Sequence, residues 1–146
     1  MKTRTIILEI IIFCIIFLWA FDARNKIVFH DAFYRQLDWN PLATDYKDFI
    51  FYFLPALEIT IAITLIIKPF RKYGLWLSAG LLTFFTGYVY YMLYIDPSKA
   101  TCDCGSLISG MTWHGQLIIN TAFLLLNITG LILYKRKQQD TNLIYK

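Results

Sequence analysis

Phe49–Ile67 reads FIFYFLPALEITIAITLII, an apolar run interrupted by one charge, Glu58, and one proline, Pro55. At 1.5 Å per residue such a run is about long enough to cross ~30 Å of hydrocarbon. A helix on a soluble domain has a polar face; this one would be apolar nearly all round, which suits lipid. Three further runs of the same kind flank it. The spans are drawn at about residues 5–21, 48–67, 73–95 and 113–134. Helices are expected, because their backbone hydrogen bonds close within each segment, and no alternating barrel pattern is present. The fold class is therefore all-α: one domain over residues 1–146, an integral membrane four-helix bundle.

Composition agrees. The chain is 58% hydrophobic and 18% aromatic over 146 residues, more apolar surface than a soluble domain can hide. Little mass is left outside the spans, so any chemistry must use helix ends, short loops or the bundle core. No catalytic triad, phosphate loop, dinucleotide fingerprint or internal repeat is visible. The first run follows Lys2 and Arg4 as a signal peptide would. It is longer than a signal core, though, and Ala20 and Ala23 are separated by Phe21 and Asp22, so an uncleaved anchor is expected.

Charge sets the orientation. Lys2, Arg4, Lys68, Arg71, Lys72, Lys135, Arg136, Lys137 and Lys146 fall on one side of the spans. Arg24, Lys26, Arg35, Lys47 and Lys99 fall on the other, among seven aspartates. The positive-inside rule then puts both termini in the cytoplasm. Aromatic belts are expected at the two boundaries, Trp39, Tyr88, Tyr90, Tyr91, Tyr94 and Trp113 outside, Tyr73 and Trp76 inside. The net charge of +4 follows from this bias and does not point to nucleic acid. The loop from Asp22 to Lys47 interleaves Ile27, Phe29, Phe33, Tyr34 and Leu37 with His30, Asp31, Arg35 and Asp38 at roughly helical spacing. An interfacial helix on the outer leaflet is expected there, as a lid, a docking surface or a plain connector, ending at a turn through Asn40 and Pro41.

Cys102-Asp103-Cys104-Gly105 lies in the other outer loop. Outward cysteines sit in an oxidising compartment, where disulfides persist. Two cysteines this close form a very small ring; such strained, exposed disulfides exchange readily, and Gly105 eases the bend. Three readings stay open: a redox-active dithiol/disulfide, a structural or partner-linked disulfide, and a thiophilic metal site with His114 or Asp103 added. The ligand set is thin and no metal site is assigned. Cys14, in mid-span, is expected to be a small buried hydrophobe.

Polar residues inside the spans are the other candidates. Glu58 lies about 15 Å into the second span, and an ionisable group there is a functional-site hypothesis by default. On the fourth span Gln116, Asn120 and Asn127 share one face. Asn120 falls ~10 Å and Asn127 ~21 Å below Trp113, so Glu58 is expected to bond one of them across the core. Such a bond serves either as helix–helix glue or as part of a proton-handling site. Glu9, near the cytoplasmic end of the first span, is expected to snorkel or to pair with Lys2 or Arg4. The face carrying Gly80, Thr83 and Gly87 is expected to be a close helix contact. Pro55 is expected to loosen its helix without breaking it.

Three stretches carry a family resemblance. Lys26-Ile-Val-Phe-His-Asp-Ala-Phe-Tyr-Arg-Gln-Leu37, then Phe53-Leu-Pro-Ala-Leu-Glu58, then Cys102-Asp-Cys-Gly105 with Trp113 after it resemble, in that order, the MauE/DoxX family of small membrane proteins associated with thiol redox. The resemblance implies a multi-pass protein of the bacterial inner (cytoplasmic) membrane that supports thiol–disulfide redox or maturation of exported proteins on the periplasmic face. It implies Cys102 and Cys104 as the catalytic pair, and a periplasmic thiol protein or thioredoxin-like domain as partner. Quinone-coupled disulfide-forming membrane proteins are similar in architecture, but they usually carry a second cysteine pair, which this chain lacks outside. The pair would then work directly with a quinone, for which Glu58, Asn120 and Asn127 are the candidate binding residues, or the partner supplies the other thiols. The alternative is a non-catalytic subunit or scaffold of a larger envelope complex.

Overall fold

The computed structural model describes residues 2–38, 44–95 and 113–144. Cys102, Asp103, Cys104, Trp39 and the Asn40–Pro41 turn lie outside the described residues.

Every described element is helical. Helix α1 spans Lys2–Val28, α2 His30–Asp38, α3 Lys47–Ile66, α4 Arg71–Tyr94 and α5 Trp113–Ile144. Short 3₁₀ turns at Thr44–Tyr46 and Lys68–Phe70 precede α3 and α4. The helices outrun the apolar runs that announced them. α1 continues past Phe21 because Asp22 and Lys26, one turn apart, form an ion pair and no glycine or proline intervenes. Its 27 residues make about 40 Å of helix. α5 continues past Tyr134 through a lysine-, arginine- and glutamine-rich segment of good helix formers. α3 passes through the buried Pro55 without a break.

Among the described residues, Thr3–Val28, Lys47–Ile66 and His114–Gln139 are long and apolar enough to cross a membrane. α4 is long enough at 24 residues, but glycine, hydroxyl residues and tyrosine dilute it. α1 packs on α3 and α5, and α4 packs on the same two helices. Trp19 of α1 and Asn127 of α5 both reach Ser78 of α4, while Gly130 of α5 lies against Ile11 and Leu75. Hence α1 and α4 run parallel, with α5 antiparallel to both. Glu58 meets Lys26 near the end of α1, so α3 is antiparallel to α1. The C-termini of α1 and α4 and the N-termini of α3 and α5 therefore share one end, which also carries α2.

The packing is inside-out relative to a soluble protein. On α5 the buried positions include Gln116, Asn120 and Asn127, whereas Ile118 is 69% exposed and Leu125, Ile128 and Ile132 also face outward. On α1 the stripe Leu8, Ile11, Ile12, Ile15 and Trp19 is buried, yet Phe13 on the other side is 68% exposed. Apolar residues on both faces and polar ones in the core are what lipid selects.

A helix does form in the first loop, α2, shorter than drawn, since Ile27 and Val28 belong to α1. Phe33 and Leu37 are buried against Ile50, Phe51 and Leu54 of α3. Lys47 pairs with Asp38 and lies 3.4 Å from the Tyr34 ring centroid, and Tyr34 donates to Asp48 at 3.1 Å. α2 is thus clamped to the start of α3 by an apolar face and a charged rim.

One packing expectation is corrected. Gly80, Thr83 and Gly87 do share a face, but it is exposed, and a Cβ at Gly80 or Gly87 would meet nothing within 4 Å. Close contact is made instead at Gly74, where a Cβ would lie 2.9 Å from Thr64 Oγ1 and 3.0 Å from Leu65. Thr64 is held by its bond to the Ile61 carbonyl and Leu65 is fully buried, so neither yields cheaply. Gly74→Ala should therefore destabilise by about 1–3 kcal/mol despite alanine's better helix propensity. Gly80→Ala should be neutral or stabilising by up to about 1 kcal/mol. Thermal unfolding of the purified variants in one detergent compares them; equal melting temperatures for the two would contradict this packing.

Candidate functional site

A buried ion cluster sits where α1, α2, α3 and α4 meet. Lys26 Nζ is 2.6 Å from Asp22 Oδ2 and 2.5 Å from Glu58 Oε1. The same nitrogen lies 5.9 Å from the Phe33 ring centroid and 5.4 Å from that of Phe85, so aromatic faces cover the cation. Glu58 is 0% exposed and Asp22 is buried. The sequence explains the arrangement. The buried stripe of α1 runs through Ile15 and Trp19 at helical spacing, and its next two members are Asp22 and Lys26. α3 delivers Glu58 one turn beyond Pro55, from a face that also buries Ile61, Ala62 and Leu65.

A second polar layer lies about two turns away along the axis, ~10 Å at 1.5 Å per residue. There Trp19 Nε1 donates to Ser78 Oγ at 2.8 Å, and Asn127 Nδ2 donates to the same oxygen at 2.6 Å. The three groups tie α1, α4 and α5 together. Stepping outward by seven residues on each helix leads from Trp19 to Lys26, from Ser78 to Phe85 and from Asn127 to Asn120. Asn120 therefore lies at the level of the ion cluster. It is 0% exposed, and neither of its side-chain polar atoms has a hydrogen-bond partner. Glu58 Oε2 and Asn127 Oδ1 are also buried without a partner.

The bond expected between Glu58 and Asn120 or Asn127 is not made. Glu58 turns to Lys26 because an ammonium offers a charge as well as a hydrogen bond, and Asn127 is taken by Ser78. Lys26 and Asp22 escaped the sequence reading because they were assigned to an outer loop; the helical continuation of the α1 stripe was the available signal. Ser78 carried no signal beyond its place on the α4 face of Leu75 and Leu82. Lys2 and Arg4 are the partners expected for Glu9; it pairs with Arg71 of α4 at 2.6 Å. Those residues sit earlier on its own helix, whereas Arg71 arrives from another helix with its Nε–H already on the Leu65 carbonyl at 3.0 Å. Cys14 is half-buried in α1. Among the described residues no group of three metal-ligating side chains is assembled.

A chain whose described residues are all but entirely helical, with apolar side chains on the outside as well as the inside and with ions and amides in the core, is a multi-pass helical membrane protein. It belongs to the MauE family: the family model, methylamine utilisation protein MauE, matches residues 4–133. No curated protein and no solved structure matches the chain.

The cluster makes contrasting demands on its members. Lys26→Met strands two buried carboxylates and should cost about 3–5 kcal/mol. Glu58→Gln leaves Lys26 paired with Asp22 and keeps an acceptor, and should cost less than about 2 kcal/mol. Thermal unfolding in detergent reads both; equal losses would show that Lys26 is not the shared partner.

Proposed function

We propose that this protein supports thiol–disulfide redox on the outer, periplasmic face of the bacterial inner membrane, with Cys102 and Cys104 as the exchanging pair. The observation that carries the reading is one of topology. The Cys102-Asp103-Cys104-Gly105 sequence runs between Ile95 and Trp113, which close α4 and open α5 at the end where the Lys26 cluster is buried. Membership of the MauE family agrees with an accessory role in the membrane. In this reading α4 spans with the other three long helices, completing a four-helix bundle. Lys68, Arg71, Lys72 and Lys135–Lys137 then mark the cytoplasmic end, with both termini there, and α2 lies at the outer interface.

The chemistry balances as follows. A thiolate of a periplasmic thioredoxin-like partner attacks one sulfur of the Cys102–Cys104 disulfide, giving a mixed disulfide and one free thiol. The partner's second thiolate displaces the first sulfur, leaving the partner oxidised and Cys102 and Cys104 reduced. Two electrons and two protons have then entered the pair and must leave it. A quinone accepts two electrons and two protons and dissolves in the bilayer. The unmet hydrogen-bonding capacity suits both redox forms: the Asn120 amide can donate to a quinone oxygen, and Glu58 Oε2 and Asn127 Oδ1 can accept from the hydroxyls of the hydroquinone. Lys26 holds Glu58 in place for that task.

A trap tests the exchange step. With Cys104→Ala in native membranes, Cys102 should capture a thioredoxin-like partner covalently, and the capture should vanish when Cys102 is also replaced. Absence of capture together with normal function of the double variant would leave a non-catalytic scaffold as the role. Glu58→Gln should capture the partner normally but reoxidise Cys102 and Cys104 at least about tenfold more slowly, the size of a lost proton-transfer or positioning group. Unchanged reoxidation would remove Glu58 from the site.

A further inference from the structure

The opposite end of the molecule carries a feature that the redox reading does not use. An open groove of about 560 Å³ runs along α1 beside the end of α3 at Ile66 and the start of α4 at Arg71. Ile6, Ile10, Phe13 and Ile66 make its apolar wall, and Glu9 and Arg71 its polar part. We propose that this groove binds one anionic phospholipid, an acyl chain lying along the isoleucines and Phe13 and the phosphate resting on Arg71.

Charge and geometry argue for an anionic headgroup rather than any lipid. The positive charges of Arg71, Lys137 and Lys68 all lie within electrostatic reach of Glu9, so the polar end of the groove lies in a basic surround. Arg71 is held in place: Nη1 donates to Glu9 and Nε to the Leu65 carbonyl, and its side chain is only 14% exposed. Those bonds use two of the five N–H donors of the guanidinium, and its planar fork matches phosphate oxygens in pairs. A pre-positioned arginine beside an apolar trench selects a phosphate with an attached chain, whereas a free phosphate would use only the polar part. Bound there, the lipid would bridge α1 to the start of α4.

The purified protein, reconstituted in bilayers of equal parts phosphatidylglycerol and phosphatidylcholine and re-extracted in mild detergent, would be examined by native mass spectrometry. Retained phosphatidylglycerol should exceed phosphatidylcholine by about fivefold or more, the bias expected from one or more basic contacts. Excess inorganic phosphate should not displace it. Ile10→Trp fills the trench without changing any charge and should abolish retention of both lipids. Lys68→Ala with Lys137→Ala should keep retention but remove the preference. Equal retention of the two lipids by the unmodified protein, displacement by phosphate, or retention unaffected by Ile10→Trp would each overturn the proposal. Should Ile10→Trp fail to fold, the double lysine variant decides: an unchanged preference overturns it.

Discussion

Hydrocarbon offers no hydrogen bonds, so each polar group carried into it must be met by another part of the protein. In this chain Lys26 meets that constraint for two carboxylates on two helices. It satisfies Asp22 one turn back on α1 and Glu58 on α3, and is itself covered by Phe33 and Phe85 from α2 and α4. A single ammonium thereby fixes the rotation of α1 against α3 and the place where α2 folds over the bundle end. Leucine and isoleucine could not do this, because in lipid an apolar side chain gains nothing by facing another helix instead of an acyl chain.

The rest of the core repeats the logic with weaker groups. Ser78 accepts from Trp19 and Asn127 and so joins α1, α4 and α5 at one level. Arg71 joins α1 to the start of α4 through Glu9 at the other end. Each of these bonds crosses between helices far apart in the chain and sets register as much as energy. Against this background the unpartnered Asn120 and the second oxygen of Glu58 stand out. They are polar groups of the same core whose partners the protein does not supply, at the level of the ion cluster and toward the end where Cys102 and Cys104 are attached. Groups of this kind in an apolar medium are functional-site candidates by default, and the quinone step of the redox reading proposed above rests on them. The exposed glycine face of α4 and the groove beside Arg71 show, in turn, that the outer surface is contoured rather than uniformly greasy.

The candidate site was partly legible. Glu58, Asn120 and Asn127 could be singled out because a carboxylate or amide in a long apolar run is costly wherever it points. Their partners could not. Depth along the axis placed Glu58 between the two asparagines, but depth says nothing about which helix lies across the core; α1, not α5, presents a group to Glu58. Lys26 was hidden by the choice of where the first span ends. The apolar run stops at Phe21, yet the helix does not, since helix formation depends on backbone hydrogen bonds and side-chain pairs and not on hydropathy. The glycines misled for a related reason: spacing shows that Gly80 and Gly87 share a face, while the contacts of α4 decide that the face turns outward and that Gly74 is the close approach.

The sequence by itself determined that the chain is helical and built for lipid, because run length and the absence of alternation are local properties of the chain. It determined the family, the membrane-depth acid and the cysteine pair for the same reason: each is visible without knowing what lies opposite. Only the tertiary structure decided which polar groups meet. Helix order around the core, the rotation of each helix and the extent of α1 past its apolar run are set jointly by contacts among residues dozens of positions apart. Lys26 to Glu58, Trp19 to Ser78 and Glu9 to Arg71 are therefore properties of the assembled bundle, which no single segment contains.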